Sequence, residues 1–296
     1  MRDLCDANGR QCGYNVSDMN TVSIVKKSGE REPFIEEKLK RSLSRSGAQQ
    51  KLIDEVVAHI VGEVGRGELS TTDGIYRHAF KLLRKRSRMV ASRYHLRRAI
   101  MELGPSGHPF EHFIARILEA DGYKTTVGSV LAGACVDHEI DVLAEKDGET
   151  TIIECKFHNQ QGIKSDVKTS LYVHARFEDI RKNGKQRFGV WLVTNTKLTG
   201  DAIRYAECVG MKAIGWSYPS VGNVQDLVER SGLHPVTCLT SLNRGQKQNL
   251  MERGIVVCRD LVEKPETLGE FNFSPSKTKK TLREAESFSR PVEKSE

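Results

Sequence analysis

Two apolar strands on either side of a tight turn are each interrupted by a carboxylate. Upstream of Lys146-Asp147-Gly148, Asp141 lies between Ile140 and Val142; downstream, Ile152 and Ile153 lead directly into Glu154-Cys155-Lys156. Side chains alternate along a strand, so Glu154 and Lys156 project the same way. The turn makes Asp141 their neighbour, and two carboxylates and an ammonium can converge on one point. Ionised groups inside such strands are expensive to bury unless they are paired or metal-bound. Two converging carboxylates repel, and a divalent cation resolves the repulsion. Hard oxygen ligands favour Mg²⁺ over zinc. A site of this kind suits phosphodiester hydrolysis: the metal polarises a phosphoryl oxygen and helps generate hydroxide, while Lys156 orients or deprotonates water or offsets developing charge. The alternative is a solvated edge hairpin that happens to carry a Glu-x-Lys pair.

The surrounding pattern is α/β. Phe110, Phe113, Ile114, Ile117 and Leu118 predict an amphipathic helix ending at Gly122. A strand with Thr125 and Val127 follows, then strands 139–143 and 151–156, a long helix over 165–181, and the continuous apolar run 188–194 of a buried strand. Thr199-Gly200-Asp201 starts a helix reaching Gly210, and a short strand spans 212–216. Strands alternating with helices predict a sheet covered by helices.

These segments carry a resemblance. The helix from Phe110, His138-Glu139-Ile140-Asp141-Val142, Ile152-Ile153-Glu154-Cys155-Lys156, and Gly189-Val190-Trp191-Leu192-Val193-Thr194-Asn195 with its following helix look like the Mrr-like branch of the PD-(D/E)xK nucleases, over about residues 108–217. The resemblance implies a restriction-endonuclease-like fold and Mg²⁺-dependent cleavage of DNA. It assigns Asp141 and Glu154, with Cys155 beside them, to metal binding, and Asp141, Glu154 and Lys156 to catalysis. Glu111 matches an acidic position that assists the site in this superfamily; a first-turn glutamate favoured by the helix dipole is the other reading. Some Mrr-like domains have Gln where Glu154 stands, so the acidic form favours activity. His158, Asn159, Gln160, Gln161 and Lys164 follow the catalytic strand, where loop polarity and DNA contact explain them equally well.

Residues 22–103 read differently. Val22–Val25 and Glu32–Ile35 predict a hairpin. Ile35, Leu39 and Leu43 mark a first helix, and Leu52, Ile53, Val56, Val57, Ile60, Val61 and Val64 a second. Ser70-Thr71-Thr72-Asp73 starts a third, and a fourth runs over about 89–103. Val25-Lys26-Lys27-Ser28-Gly29, Glu32, Lys38 and Thr72 resemble the ATP-cone, a nucleotide-sensing module of ribonucleotide reductases and their regulators, with Lys-Lys in place of the usual Lys-Arg. The resemblance implies that Lys26, Lys27 and Lys38 hold the phosphates of ATP or dATP and that Glu32 and Thr72 contact the nucleoside or its shell. A homo-oligomer is expected. Clustered ammonium groups and turn N–H groups suit a triphosphate. A solvated basic turn is the alternative. No Walker-type loop is present, which argues against an ATP-driven motor.

Charge and cysteines bound the rest. The 296 residues carry 46 Lys+Arg against 39 Asp+Glu, net +7, a weak pointer to a polyanionic partner such as DNA. Between 77 and 98, Arg77, Lys81, Arg84, Lys85, Arg86, Arg88, Arg93, Arg97 and Arg98 occur with no acid among them. Seven cysteines at irregular spacing, with no C-x-x-C, argue against a disulfide framework and a zinc ribbon. Cys5 and Cys12 read as thiols of a mobile leader. No apolar run approaches a membrane span and no secretory h-region is seen, so a cytoplasmic protein without a membrane partner is expected.

The fold class expected is therefore α/β. A flexible leader (1–20) precedes a mainly helical ATP-cone with a small hairpin (21–103), and Gly104–Pro109 forms a linker. A restriction-endonuclease-like mixed sheet flanked by helices (110–218), a small helical appendage (219–264) and a disordered tail (265–296) follow. The function expected is an endonuclease regulated by nucleotide. Its rivals are a non-catalytic DNA-binding regulator and a nucleotide-responsive oligomerisation protein.

Overall fold

The computed structural model describes residues 22–26, 29–160, 162–184 and 188–289. The leader and its two cysteines lie outside them. The chain divides into two compact units, up to Tyr94 and from His95 onward.

In the first unit, β1 (Ser23–Val25) pairs antiparallel with β2 (Arg31–Pro33). Helices α1 (Glu36–Arg45), α2 (Gln50–Gly65), α3 (Thr72–Arg86) and the start of α4 (Arg88–Met101) follow. Leu39, Leu43, Ile53, Val56, Val57, Ile60, Val64, Ile75, Ala79 and Leu83 form its core. Thr71 caps α3 by accepting the Gly74 N–H at 3.0 Å, the bond that a Ser/Thr-rich helix start supplies. Ile35 falls outside the expected stripe: it precedes α1 and is exposed.

The second unit contains a five-stranded sheet in the order β3-β4-β5-β7-β9. Strands β3 (Lys124–Ala132), β4 (Asp137–Lys146) and β5 (Glu149–Lys156) are antiparallel, and β7 (Phe188–Thr194) and β9 (Lys212–Ile214) run parallel to β5. A small parallel pair joins β6 (Lys164–Ser165) to β8 (Lys197–Leu198), a feature with no periodic signal in two-residue strands. On one sheet face Ile152, Val190 and Leu192 pack with α6 (Val167–Asn183) and α7 (Gly200–Cys208) through Val173, Phe177, Ile180, Ala202 and Ala206. On the other, Val142, Ala144, Ile153 and Val193 meet α5 (His108–Ala120). Two faces covered by helices explain why β7 reads as an uninterrupted apolar run.

Three expected boundaries are corrected. Gly104–Pro109 is not a linker between units: the division falls inside α4, Leu96, Ala99, Ile100 and Leu103 belong to the core of the second unit, and Asn159 Nδ2 donates to the Pro105 carbonyl at 2.9 Å. Nor is the region after 219 an appendage. Helices α8 (Val224–Ser231), α9 (Arg244–Glu252) and α10 (Cys258–Glu263) bury Val228, Leu250, Cys258 and Leu261 in the same core as α5 and the sheet. The tail expected to be disordered forms α11 (Pro275–Phe288), capped by Ser274 and buried at Thr281 and Ala285. Its polar composition hides one narrow face, and Glu284 accepts bonds from the Thr240 and Ser241 backbone N–H groups. Residues 290–296 lie outside the described residues.

Candidate active site

Asp147 (φ 53°) and Gly148 (φ 80°) form the two-residue turn between β4 and β5, the left-handed pair that matches strand twist. That turn fixes the register from Lys146↔Glu149 to Val142↔Ile153. One step further the ladder stops, and Asp141 replaces backbone with side chain: its Oδ2 accepts the Cys155 N–H at 2.7 Å. On the other side of β4 the β3 register skips the pair Gly128 and Asp141, and Gly128 sits at φ 69°. A side chain there would be strained, so this glycine shapes the backbone opposite the aspartate.

Ile153 and Cys155 face the α5 side of the sheet, leaving Glu154 and Lys156 on the other. The expectation of Cys155 as a metal ligand is thereby corrected for its thiol: it lies in apolar core, and burial pushes its pKa well above that of an ordinary cysteine. A thiolate ligand needs the opposite shift. Only the Cys155 carbonyl, on the Asp141 side of the strand like its N–H, could face a cation.

Glu154 pairs with Arg176 of α6, and the same guanidinium donates to the Glu139 carbonyl. Both side chains are largely buried. Burial, then the Asp141 charge, pushes the Glu154 carboxyl up to about 7, opposed by Arg176. Asp141 is raised mainly by burial, opposed by the Cys155 N–H and by Arg176. Lys156 is exposed and favours the charged form of both carboxylates. Sequence reasoning missed Arg176; only the fold shows which strand α6 covers.

Glu111, in the first turn of α5, is also raised, by burial and then by Asp141. His108 Nδ1 lies 3.1 Å from its carboxylate, and His108 Nε2 lies 3.2 Å from His112 Nε2. Neither histidine was singled out in the sequence, although their i, i+4 spacing placed them on one helix face with Glu111. Glu111, Asp141 and Glu154 are not all within 4.8 Å of one another, so Glu111 stands beside the pair of carboxylates. At the exit of β5, buried Asn195 accepts the His158 N–H at 2.8 Å and donates to the His158 carbonyl at 2.9 Å, while His158 Nε2 lies 2.9 Å from Ser165 Oγ. Asn159 holds the Pro105 carbonyl, and Gln161 lies outside the described residues.

In the first unit, the Val25 N–H donates to the Ser70 carbonyl at 2.8 Å, which sets the β1–β2 hairpin beside the start of α3, where Thr72 is the first residue. Glu32 collects Lys38 at 3.0 Å and Lys26 at 3.4 Å, and Lys26 also reaches Glu30 at 3.0 Å. Lys38 and then Lys26 hold the Glu32 carboxyl below its usual range. Lys27 lies outside the described residues. Three of the expected nucleotide contacts therefore gather, with their charges balanced by hairpin carboxylates. The stretch from 77 to 98 is also less lopsided than its sequence suggests: Arg77 pairs with Asp73 at 2.9 Å, Arg86 with Glu55, and Arg98 with Glu102 at 3.6 Å. Those acids lie just outside the segment or on α2.

The restriction endonuclease family, by its Mrr catalytic domain, matches residues 104–214, the segment that carries Glu111, Asp141, Glu154 and Lys156. An AF1548-like C-terminal domain matches residues 234–288. An uncharacterized protein of Archaeoglobus fulgidus is 41% identical over 173 residues, 58% of this chain and 97% of the relative. The chain belongs to the AF1548-like family. A crystal structure titled as that of AF1548, a protein of unknown function, is 39% identical and aligns with TM-score 0.53 over 62% of this chain and 97% of its own. The restriction-endonuclease-like core thus has a sequence match, a mixed sheet and carboxylates at the break between β4 and β5. Among the described residues no helix is long and apolar enough to cross a membrane.

Proposed function

We propose that the second unit is an Mrr-like, Mg²⁺-dependent deoxyribonuclease of the type IV restriction kind, hydrolysing phosphodiester bonds at Asp141, Glu154 and Lys156. One observation carries the reading: two adjacent carboxylates are held by the fold in an environment that disfavours their charge. A divalent cation reverses that penalty. The donor set fits one: hard oxygens, with Asp141 Oδ1 and Glu154 Oε1 not committed to the Cys155 and Arg176 bonds. When bound, the cation polarises the phosphoryl oxygen and lowers the pKa of water. Asp141, fixed by the Cys155 N–H, sets the position of the ligands. Lys156 faces the phosphate with a cation that offsets charge developing there. Glu111 and His108 stand at the α5 side, where a proton can be held near the leaving oxygen.

The first unit reads as an ATP-cone that senses ATP or dATP through Lys26, Lys27, Lys38, Glu32 and Thr72 and sets the assembly of a cytoplasmic homo-oligomer. The gathering of Lys26, Glu32 and Lys38 beside the start of α3 supports it. A triphosphate would compete with Glu30 and Glu32 for the two ammonium groups. Incubating the purified protein with modified and unmodified plasmid, with Mg²⁺ or EDTA, and with and without ATP tests both parts. Cleavage that needs Mg²⁺ supports the nuclease, and a change with ATP supports the cone. Intact plasmid under every condition favours a non-catalytic DNA-binding role.

A further inference from the structure

A second cluster of ligating side chains lies in the first unit and uses none of the residues named above for nucleotide. His59 and Glu63 are one turn apart on α2, and His78 lies on α3. His59 Nε2 is 3.0 Å from His78 Nε2 and 3.2 Å from Glu63 Oε1, and all three donor atoms fall within 4.8 Å of one another. Among the described residues this is the one group of three or more such side chains that does so.

We propose that His59, Glu63 and His78 form a site for a divalent transition-metal ion of the zinc class. The separations of 3.0 and 3.2 Å lie close to the ~3.3 Å edge of a tetrahedron built on metal–ligand bonds of ~2.0–2.1 Å. Two imidazoles and a carboxylate are the ligand chemistry of zinc and its neighbours, not of Mg²⁺ or Ca²⁺. The backbone is fixed before any ion arrives. Ile60 and Val64 on α2, and Ile75 and Ala79 on α3, are buried in one core, so the two helix faces carrying the ligands are held together. His59 is exposed while Glu63 and His78 are half-buried, which leaves an open side for water or a further ligand. Without metal, the close nitrogens share a hydrogen bond in which one Nε2–H donates and the other accepts. Metal binding shifts the donating ring to its Nδ1–H tautomer, with no net loss of a proton, so that both Nε2 atoms become ligands. The ion would clamp α2 to α3, independently of whether the second unit cleaves DNA or the hairpin binds nucleotide.

The test adds Zn²⁺ alone to the full chain, kept reduced, and follows imidazole nitrogens by NMR with a chromophoric chelator as competitor. One equivalent should shift the His59 and His78 ring nitrogens, with both rings reporting the Nδ1–H tautomer. His59→Gln and His78→Gln should each lower the affinity of that equivalent by at least about tenfold, since two ligands hold zinc far less well than three. Unfolding curves of both variants without metal should match the parent, because the core beneath is unchanged. Rings that stay unshifted while zinc binds elsewhere, or variants that retain the parent's full zinc affinity, would overturn the proposal. If His78→Gln misfolds, the exposed His59→Gln and the parent's own ring signals still decide it.

Discussion

The carboxylate of Asp141 accepts the backbone N–H of Cys155 at 2.7 Å, across the point where the β4–β5 ladder ends. The aspartate therefore completes the pairing of the two strands where their backbone ladder stops. Asp141→Asn keeps an acceptor at that position and should leave stability within about 1 kcal/mol of the parent, while Asp141→Ala orphans the N–H and should cost about 1–3 kcal/mol. Urea unfolding of both variants checks this; equal stabilities would mean that the bond contributes nothing.

Arg176 neutralises a carboxylate that the sheet would otherwise bury alone. Arg176→Met should lose on the order of 1–3 kcal/mol of stability at pH 8, where Glu154 is charged, and much less at pH 5, where it is protonated. Unfolding at the two pH values, without divalent cation, measures the difference. A loss independent of pH would place the role of Arg176 in packing instead.

The raised pKa of Glu154 gives a second pH signature. Folding shifts it from 4.5 to about 7, so the folded state binds the extra proton. That stability is fully present below pH 4.5 and is lost as pH rises through about 7. Glu154→Gln should remove this decline, and the parent should regain stability above pH 7 when Mg²⁺ is added. A parent and a Gln variant with parallel stability–pH curves in EDTA would contradict the assignment.

Glu284 ties α11 to the turn before α9 by accepting from Thr240 N, Thr240 Oγ1 and Ser241 N. These bonds hold its carboxyl below the usual range against the opposing effect of burial. Glu284→Ala should destabilise the second unit by about 1–2 kcal/mol at pH 7, and less as pH falls below the carboxylate range, where the parent loses the same bonds. Thermal melts at pH 7 and pH 3.5 test both halves of that statement.

Much of this arrangement was legible in the sequence. The alternation through Ile152–Lys156 and the Asp147-Gly148 turn were enough to bring Asp141 and Glu154 together, because register follows from a two-residue turn. Arg176 was not legible: α6 lies far along the chain, and nothing in its own pattern says which strand it covers. Cys155 was misread because the chain writes it between two candidate site residues, while strand alternation sends its thiol into the core. The C-terminal helices were underestimated for another reason. Each buries only two or three side chains, so none shows a long apolar stripe, yet together they complete the core over α5. The His59, Glu63 and His78 cluster escaped notice because α2 and α3 must pack before its third member arrives.

The central claim is that Asp141, Glu154 and Lys156 are chemical groups of a phosphodiesterase. The most direct measurement compares plasmid cleavage in Mg²⁺ with DNA binding in Ca²⁺ for the parent, Asp141→Asn and Lys156→Ala. Both variants should bind DNA with affinity within a few-fold of the parent and with the same steep weakening as salt rises, while cutting at least about 100-fold more slowly, the loss expected when a group stabilising developing charge is removed. Variants that fold, bind and cut like the parent would contradict the account.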